Sequence, residues 1–96
     1  MLEIKQKDDG KKGEFYIGED GHHLAEMNYT WAGEDKLIID HTSVNDALRG
    51  QNVGRQLLDR AIIFARERNV SILPLCPFAK SVFDKDSSIR DVLFKA

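Results

Sequence analysis

The sequence predicts an α/β (α+β) fold: a mixed sheet of about five strands, laid down as an antiparallel meander followed by a β-α-β crossover, with a short C-terminal helix. Three observations predict it. Apolar residues recur with a period of two through the first half of the chain, in short runs separated by turn residues. A single stretch after Gly54 switches to helical spacing, and a β-rich run, Val70 to Cys76, follows it at once.

The elements follow in order. Leu2 to Lys7 alternates apolar and polar residues and reads as a half-buried strand, and the polar, glycine-bearing segment from Asp8 to Gly13 is expected to turn. Glu14 to Glu19 is a second strand. Asp20-Gly21 is a hairpin signal, leading into a third strand from about His22 to Trp31. Gly33-Glu34-Asp35 turns the chain into a fourth strand, Leu37 to Val44. Val53, Leu57, Leu58, Ala61, Ile62, Phe64 and Ala65 then fall on one helical face, with Arg55, Gln56, Asp59, Arg60, Arg66 and Glu67 on the other. That helix runs to about Arg68, where Asn69 suits the left-handed conformation that ends helices. Strand, helix, strand makes a right-handed crossover, with the fifth strand parallel to the fourth. Pro74 has no N–H to donate, which places the fifth strand at an edge or makes it part from its neighbour near its end. Pro77 opens a short helix, Phe78 to about Lys85, with Phe78, Val82 and Phe83 packed inward; Ser87 to Asp91 caps a last turn, and Val92, Leu93 and Phe94 pack.

Ninety-six residues with 42% hydrophobic content suit one domain over residues 1–96. No apolar run approaches the roughly 20 residues of a membrane span, and the first residues do not read as a signal peptide, so a cytoplasmic protein with no membrane partner is expected. Cys76 is the lone cysteine, and no Cys and His residues stand at zinc-ligand spacing, which points away from a structural metal. The net charge of −2 argues against a nucleic-acid partner. Its distribution is uneven: residues 1–48 hold five Lys against eleven acids, whereas residues 49–68 hold five Arg against two. The acidic first half favours a cationic substrate, and the basic block coincides with the turn that enters the long helix.

That turn is Arg49-Gly50-Gln51-Asn52-Val53-Gly54. The first N–H groups of a helix have no acceptor four residues back and lie at the positive end of its dipole, so a phosphate or pyrophosphate fits there. Gly50 and Gly54 permit close approach, Asn52 tolerates positive φ, and Arg49 and Arg55 bracket the turn with charge. The lysine and Ser/Thr of a nucleotide-binding P-loop are missing after Gly54.

The meander, the segment Val44 to Gly54, the helix with paired Leu57-Leu58 and the strand after it together resemble the GNAT superfamily of acyl-CoA-dependent N-acyltransferases, over roughly residues 14–76. The family's turn runs Gln or Arg, two residues, Gly, one residue, Gly or Ala. Arg49 matches its first position and Gly54 its last, and Asn52 replaces the middle glycine. His41-Thr42, Gly50-Gln51 and Cys76-Pro77-Phe78-Ala79 look like features of short, stand-alone members. The resemblance implies acetyl-CoA as co-substrate: pyrophosphate on the backbone donors of Gly50, Gln51, Asn52, Val53 and Gly54, charge from Arg49 and Arg55, and the pantetheine arm beside Ser43 and Val44, where the fourth and fifth strands splay. It also implies an amine acceptor, which the residues do not identify. A monomer or weak homodimer is expected.

Two side chains near that splay have useful chemistry. His41, an imidazole, suits proton transfer; Cys76 suits a nucleophile, giving an acetyl-cysteine, or alternatively a small buried hydrophobe. Direct attack by the amine is the other route. Asp40, by strand alternation, faces away from His41. His22 and His23 read as exposed turn residues, and Glu26 as a strand carboxylate able to attract an amine. The chain lacks the extra helices and strands that build much of the acceptor pocket in longer members, which leaves a rival: an acyl-CoA-binding or protein-interaction module that does not turn over.

Overall fold

The computed structural model describes residues 3–19 and 21–95. Strands β1 (Lys5–Asp8), β2 (Lys12–Glu19), β3 (His22–Trp31) and β4 (Lys36–Val44) form the meander. A 3-10 turn, Asp46–Leu48, leads to helix α1 (Val53–Arg68), strand β5 (Ser71–Pro74), helix α2 (Pro77–Lys85) and a second 3-10 segment, Ser87–Val92. The sheet order is β1-β2-β3-β4-β5, with β5 alone parallel to its neighbour, as the crossover requires.

Hydrophobic spacing explains which face is covered. Phe15, Ile17, Ala25, Met27, Tyr29, Leu37, Ile39 and Ile72 point to one side and meet Val53, Leu57, Leu58, Ala61, Ile62 and Ala65 of α1, with Ala79 and Phe83 of α2 in the same cluster. Phe64 closes the far end through ring contacts with Phe15, Tyr29 and Trp31 at centroid distances of 5.9, 6.2 and 6.0 Å. Helix α1 stops where expected: Asn69 adopts φ 56°, ψ 44°, and Val70 N–H returns to the Ala65 carbonyl at 3.0 Å. The other face of the sheet, hereafter the open face, carries Glu14, Tyr16, Glu26, Asn28, Thr30, Ile38 and Ser43 by the same registers.

Several boundaries differ from the sequence expectation. Strand β1 starts at Lys5 and keeps Asp8, whose carboxylate accepts from Tyr29 Oη (2.7 Å) and Trp31 Nε1 (2.9 Å) and is thereby ordered into the ladder. Strand β2 begins two residues early, at Lys12. The expectations placed on Leu2 and Asp20 lie outside the described residues. Strand β5 spans only Ser71–Pro74, and Leu93 and Phe94 settle beside it, Phe94 N–H reaching the Ile72 carbonyl at 2.8 Å. Asp86, not Ser87, caps the last turn, its carboxylate accepting from Ser88 N–H at 3.0 Å. Phe78 is not core: it is 37% exposed, while its neighbours Ala79 and Phe83 take the buried positions on α2.

Candidate functional site

The ladder between β4 and β5 ends at the pair Ile39↔Pro74. Leu75 N–H and Cys76 N–H both converge on the Ile39 carbonyl, at 3.1 and 3.0 Å, and the two strands then part. Among the described residues, Asp40 to Val44 therefore have no strand partner on the β5 side. The proline contributes to this end, since it offers the ladder no donor.

Above the gap lies the turn. Gly50 sits at φ 85°, Asn52 at φ 59° and ψ 34°, so the left-handed conformation expected of Asn52 is the one found. The Asn52 side chain makes no capping bond, and the first hydrogen bond of α1 runs from Gln56 N–H to the Asn52 carbonyl at 3.2 Å. The N–H groups of Val53, Gly54 and Arg55 consequently have no intrahelical acceptor. They border a cleft of about 350 Å³ lined by Thr42, Val44, Leu48, Arg49, Gly50, Asn52, Val53, Gly54, Arg55 and Phe78. A larger hollow, about 640 Å³, lies on the open face between Lys12, Asn28 and Asp40; it has mixed charge and no helix terminus, so the smaller cleft is the better anion site.

The two arginines differ in commitment. Arg55 is held by Asp59 (2.8 Å) and by Asp86 (2.7 Å), which raise its already high pKa and anchor the start of α1 to the cap of the C-terminal turn. Arg49 pairs with Asp46, three residues back, at 2.8 Å, but both side chains stand in solvent. The 3-10 turn that carries it is fixed by Asn45, whose Oδ1 accepts from Ala47 N–H at 2.8 Å. Gln51 is exposed and gives its carbonyl to Gln56 Nε2 at 2.9 Å.

A β-bulge decides the faces of β4. Asn28 pairs with His41 but Tyr29 with Ile39, so Asp40 is the extra residue and inverts the alternation. Thr42 and Val44 consequently share the covered face, while His41 and Ser43 lie on the open face. Asp40 accepts from Thr30 Oγ1 at 2.7 Å and so lies on the same side as His41, which corrects the expectation from simple alternation. His41 and Cys76 are not brought together. The group beside Cys76 is Thr42, with Oγ1 to Sγ at 3.3 Å, and Cys76 as a residue is 4% exposed beneath it. His22 is exposed as expected, but His23 is not: its ring stacks on Tyr16 at 4.2 Å and its side chain is 12% exposed.

Sequence reasoning missed Thr42, Leu48 and Phe78 as cleft residues. His41-Thr42 and Cys76-Pro77-Phe78-Ala79 gave hints for two of them, but the face of Thr42 is set by a bulge that β4 alone does not encode.

A model of the GCN5-related N-acetyl-transferase family matches residues 14–92, and the chain belongs to that family. A GCN5-like protein from Staphylococcus aureus, solved in solution by NMR, is 42% identical, with a TM-score of 0.79 over 99% of this chain and 90% of its own. Protein NATD1 of Xenopus tropicalis is 28% identical over 74 residues, 76% of this chain and 68% of that protein. An acetyltransferase-fold protein of Clostridium acetobutylicum, solved with acetyl-CoA, shares the fold at 20% identity and a TM-score of 0.61, over 80% of this chain and 57% of its own. No helix among the described residues is long and apolar enough to cross a membrane.

Proposed function

We propose that this chain binds acetyl-CoA in the cleft between the turn and the parted strands and transfers the acetyl group directly to an amine. The observation that carries the reading is the open helix terminus: N–H groups of Val53 to Arg55 with no acceptor within the helix, an Asn52 whose side chain makes no cap, and an exposed Arg49 at the mouth of a gap in the sheet. The pyrophosphate sits on Gly50 and the N–H groups of Val53 to Arg55, with Arg49 adding charge. The amide-bearing arm runs along the unpaired side of β4, past Val44, in the manner of an added strand. A neighbour of the same fold solved with acetyl-CoA supports the choice of coenzyme.

The amine approaches from the open face. Its nitrogen attacks the thioester carbonyl, the C–N bond forms and the C–S bond breaks; His41, exposed on that face, takes the ammonium proton, and the departing thiolate is met by the Thr42 hydroxyl. Cys76 has a packing role, because a buried cysteine under Thr42 offers no line of attack to a thioester in the cleft.

Titrating acetyl-CoA while following backbone amide shifts tests the site: Gly50 and Val53 to Arg55 move together, and unmoved signals at millimolar ligand refute it. A second reading, coenzyme binding without turnover, rests on the uncovered open face, which supplies one wall of an acceptor site. Thiol release from acetyl-CoA over a panel of amines, polyamines and peptides separates the two.

A further inference from the structure

On the open face, one strand away from β4 and outside the coenzyme cleft, Glu14 of β2 and His23 and Glu26 of β3 converge so that one ligand atom from each lies within 4.8 Å of the other two. Alternation alone would put His23 and Glu26, three residues apart, on opposite faces. A bulge prevents this: Ile17 pairs with Ala25 but Gly18 with His23, so Leu24 is the extra residue, and His23 swings to the side of Glu26. The backbone is built for it, since Gly18 sits at φ 118° and an added Cβ would stand 2.6 Å from the His22 carbonyl.

The three side chains are held by others. Asn28 Nδ2 donates to Glu14 Oε2 at 3.0 Å and to Glu26 Oε2 at 2.9 Å, leaving the two Oε1 atoms turned toward His23. The imidazole is clamped by its stack on Tyr16. Yet Nδ1, the nitrogen that faces both carboxylates, lies 3.5 Å from Glu26 Oε1 and 3.9 Å from Glu14 Oε1, too far for a strong hydrogen bond. Ligand atoms placed about 2.0–2.2 Å from a tetrahedral Zn²⁺ stand roughly 3.4 Å from one another. The observed spacings suit a shared cation better than direct bonds. Lys7, paired with Glu14 across the ladder, has its ammonium over the Tyr16 ring at 5.4 Å.

We propose that Glu14, His23 and Glu26 form a binding site for a divalent transition metal, with Asn28 and Tyr16 orienting the ligands. One imidazole nitrogen and two carboxylates suit Zn²⁺, and three protein ligands leave a position for water or a substrate amine. Neither the fold nor the coenzyme cleft needs this ion, so its failure would leave the proposed function standing.

The test uses the untagged full chain, stripped with a chelator and titrated with Zn²⁺ by calorimetry and with Co²⁺ by visible absorption. One-to-one binding is expected, weakened about tenfold or more by Glu14→Gln or Glu26→Gln and unchanged by His22→Gln. Imidazole ¹⁵N shifts of His23 on adding Zn²⁺ to the wild type provide a readout that does not depend on the variants folding. No His23 shift at saturating Zn²⁺, or wild-type affinity in the double Glu14→Gln, Glu26→Gln chain, overturns the assignment.

Discussion

The Phe78 ring lies against the backbone of Gly54: a Cβ built at Gly54 would stand 2.9 Å from Phe78 Cζ and 3.1 Å from Cε2. Glycine at this position therefore answers to a neighbour rather than to a dihedral angle. The ring is at the end of a side chain that is 37% exposed, so it has room to swing, and the place it would leave is a wall of the cleft. Gly54→Ala should keep the melting temperature close to wild type, because the gain in helix propensity offsets the ring's displacement, while acetyl-CoA binding weakens by about tenfold. Calorimetric titration alongside a thermal melt checks both halves.

Arg49 bears an anion-binding prediction of a different kind. Its side chain is exposed and its partner Asp46 is equally so, which makes the pair nearly irrelevant to stability. Arg49→Glu should leave the fold unchanged, weaken coenzyme binding and flatten its dependence on salt. Equal affinity at low and high ionic strength in wild type would count against a phosphate partner here.

Gly13 makes a stability prediction. An added Cβ would overlap the Lys7 carbonyl and stand 2.6 Å from Tyr29 Oη, whose hydroxyl donates to Asp8 and accepts from Gln6 Nε2. Backbone cannot retreat as a ring can. Gly13→Ala should cost about 2–3 kcal/mol in urea unfolding, with an unchanged m-value.

Acid titration isolates the corner where Arg55 meets the C-terminal turn. Hydrogen bonds from Ser88 and the charge-assisted bond from Arg55 lower the Asp86 pKa to about 2, against about 3.9 in an unfolded chain. A depressed carboxylate stabilises the fold above its unfolded pKa, and that stability is lost as pH falls from about 4 toward 2. The melting temperature should drop over this window, and Asp86→Asn should remove that part of the slope.

Cys76 tests the route of transfer. Intact mass after incubation with acetyl-CoA should show no acetyl adduct on the native chain, and the thiol should react with disulfide reagents only after unfolding. Cys76→Ala should retain turnover and lose about 1 kcal/mol of stability, the cost of a small cavity. An adduct on the wild type that vanishes in this variant would restore the acetyl-cysteine route.

The strand order, the crossover, both helices and the left-handed residues Asn52 and Asn69 were legible because each is announced locally, by periodicity or by turn chemistry. The two bulges were not. Whether Asp40 or Leu24 is an extra residue depends on which residues β3 and β2 offer opposite it, and that register decides where His41, Thr42 and His23 point. Distance along the chain hid other facts: Arg55 is bound by Asp86, thirty-one residues away, and Phe78 reads as core until Ala79 and Phe83 take the buried positions. The backbone shape of the turn was readable, left-handed Asn52 included; Thr42, Leu48 and Phe78 beside it were not.

Asp40 to Val44 leave an inner strand bare along one side, a condition that ordinarily invites a stray chain to pair there. The kink at Asp40 and its carboxylate guard only the first part of that edge. An occupant that lays amides along the remainder would do what a sixth strand does, so solubility on storage should improve when the slot is filled, and the unliganded protein should be the form that clumps.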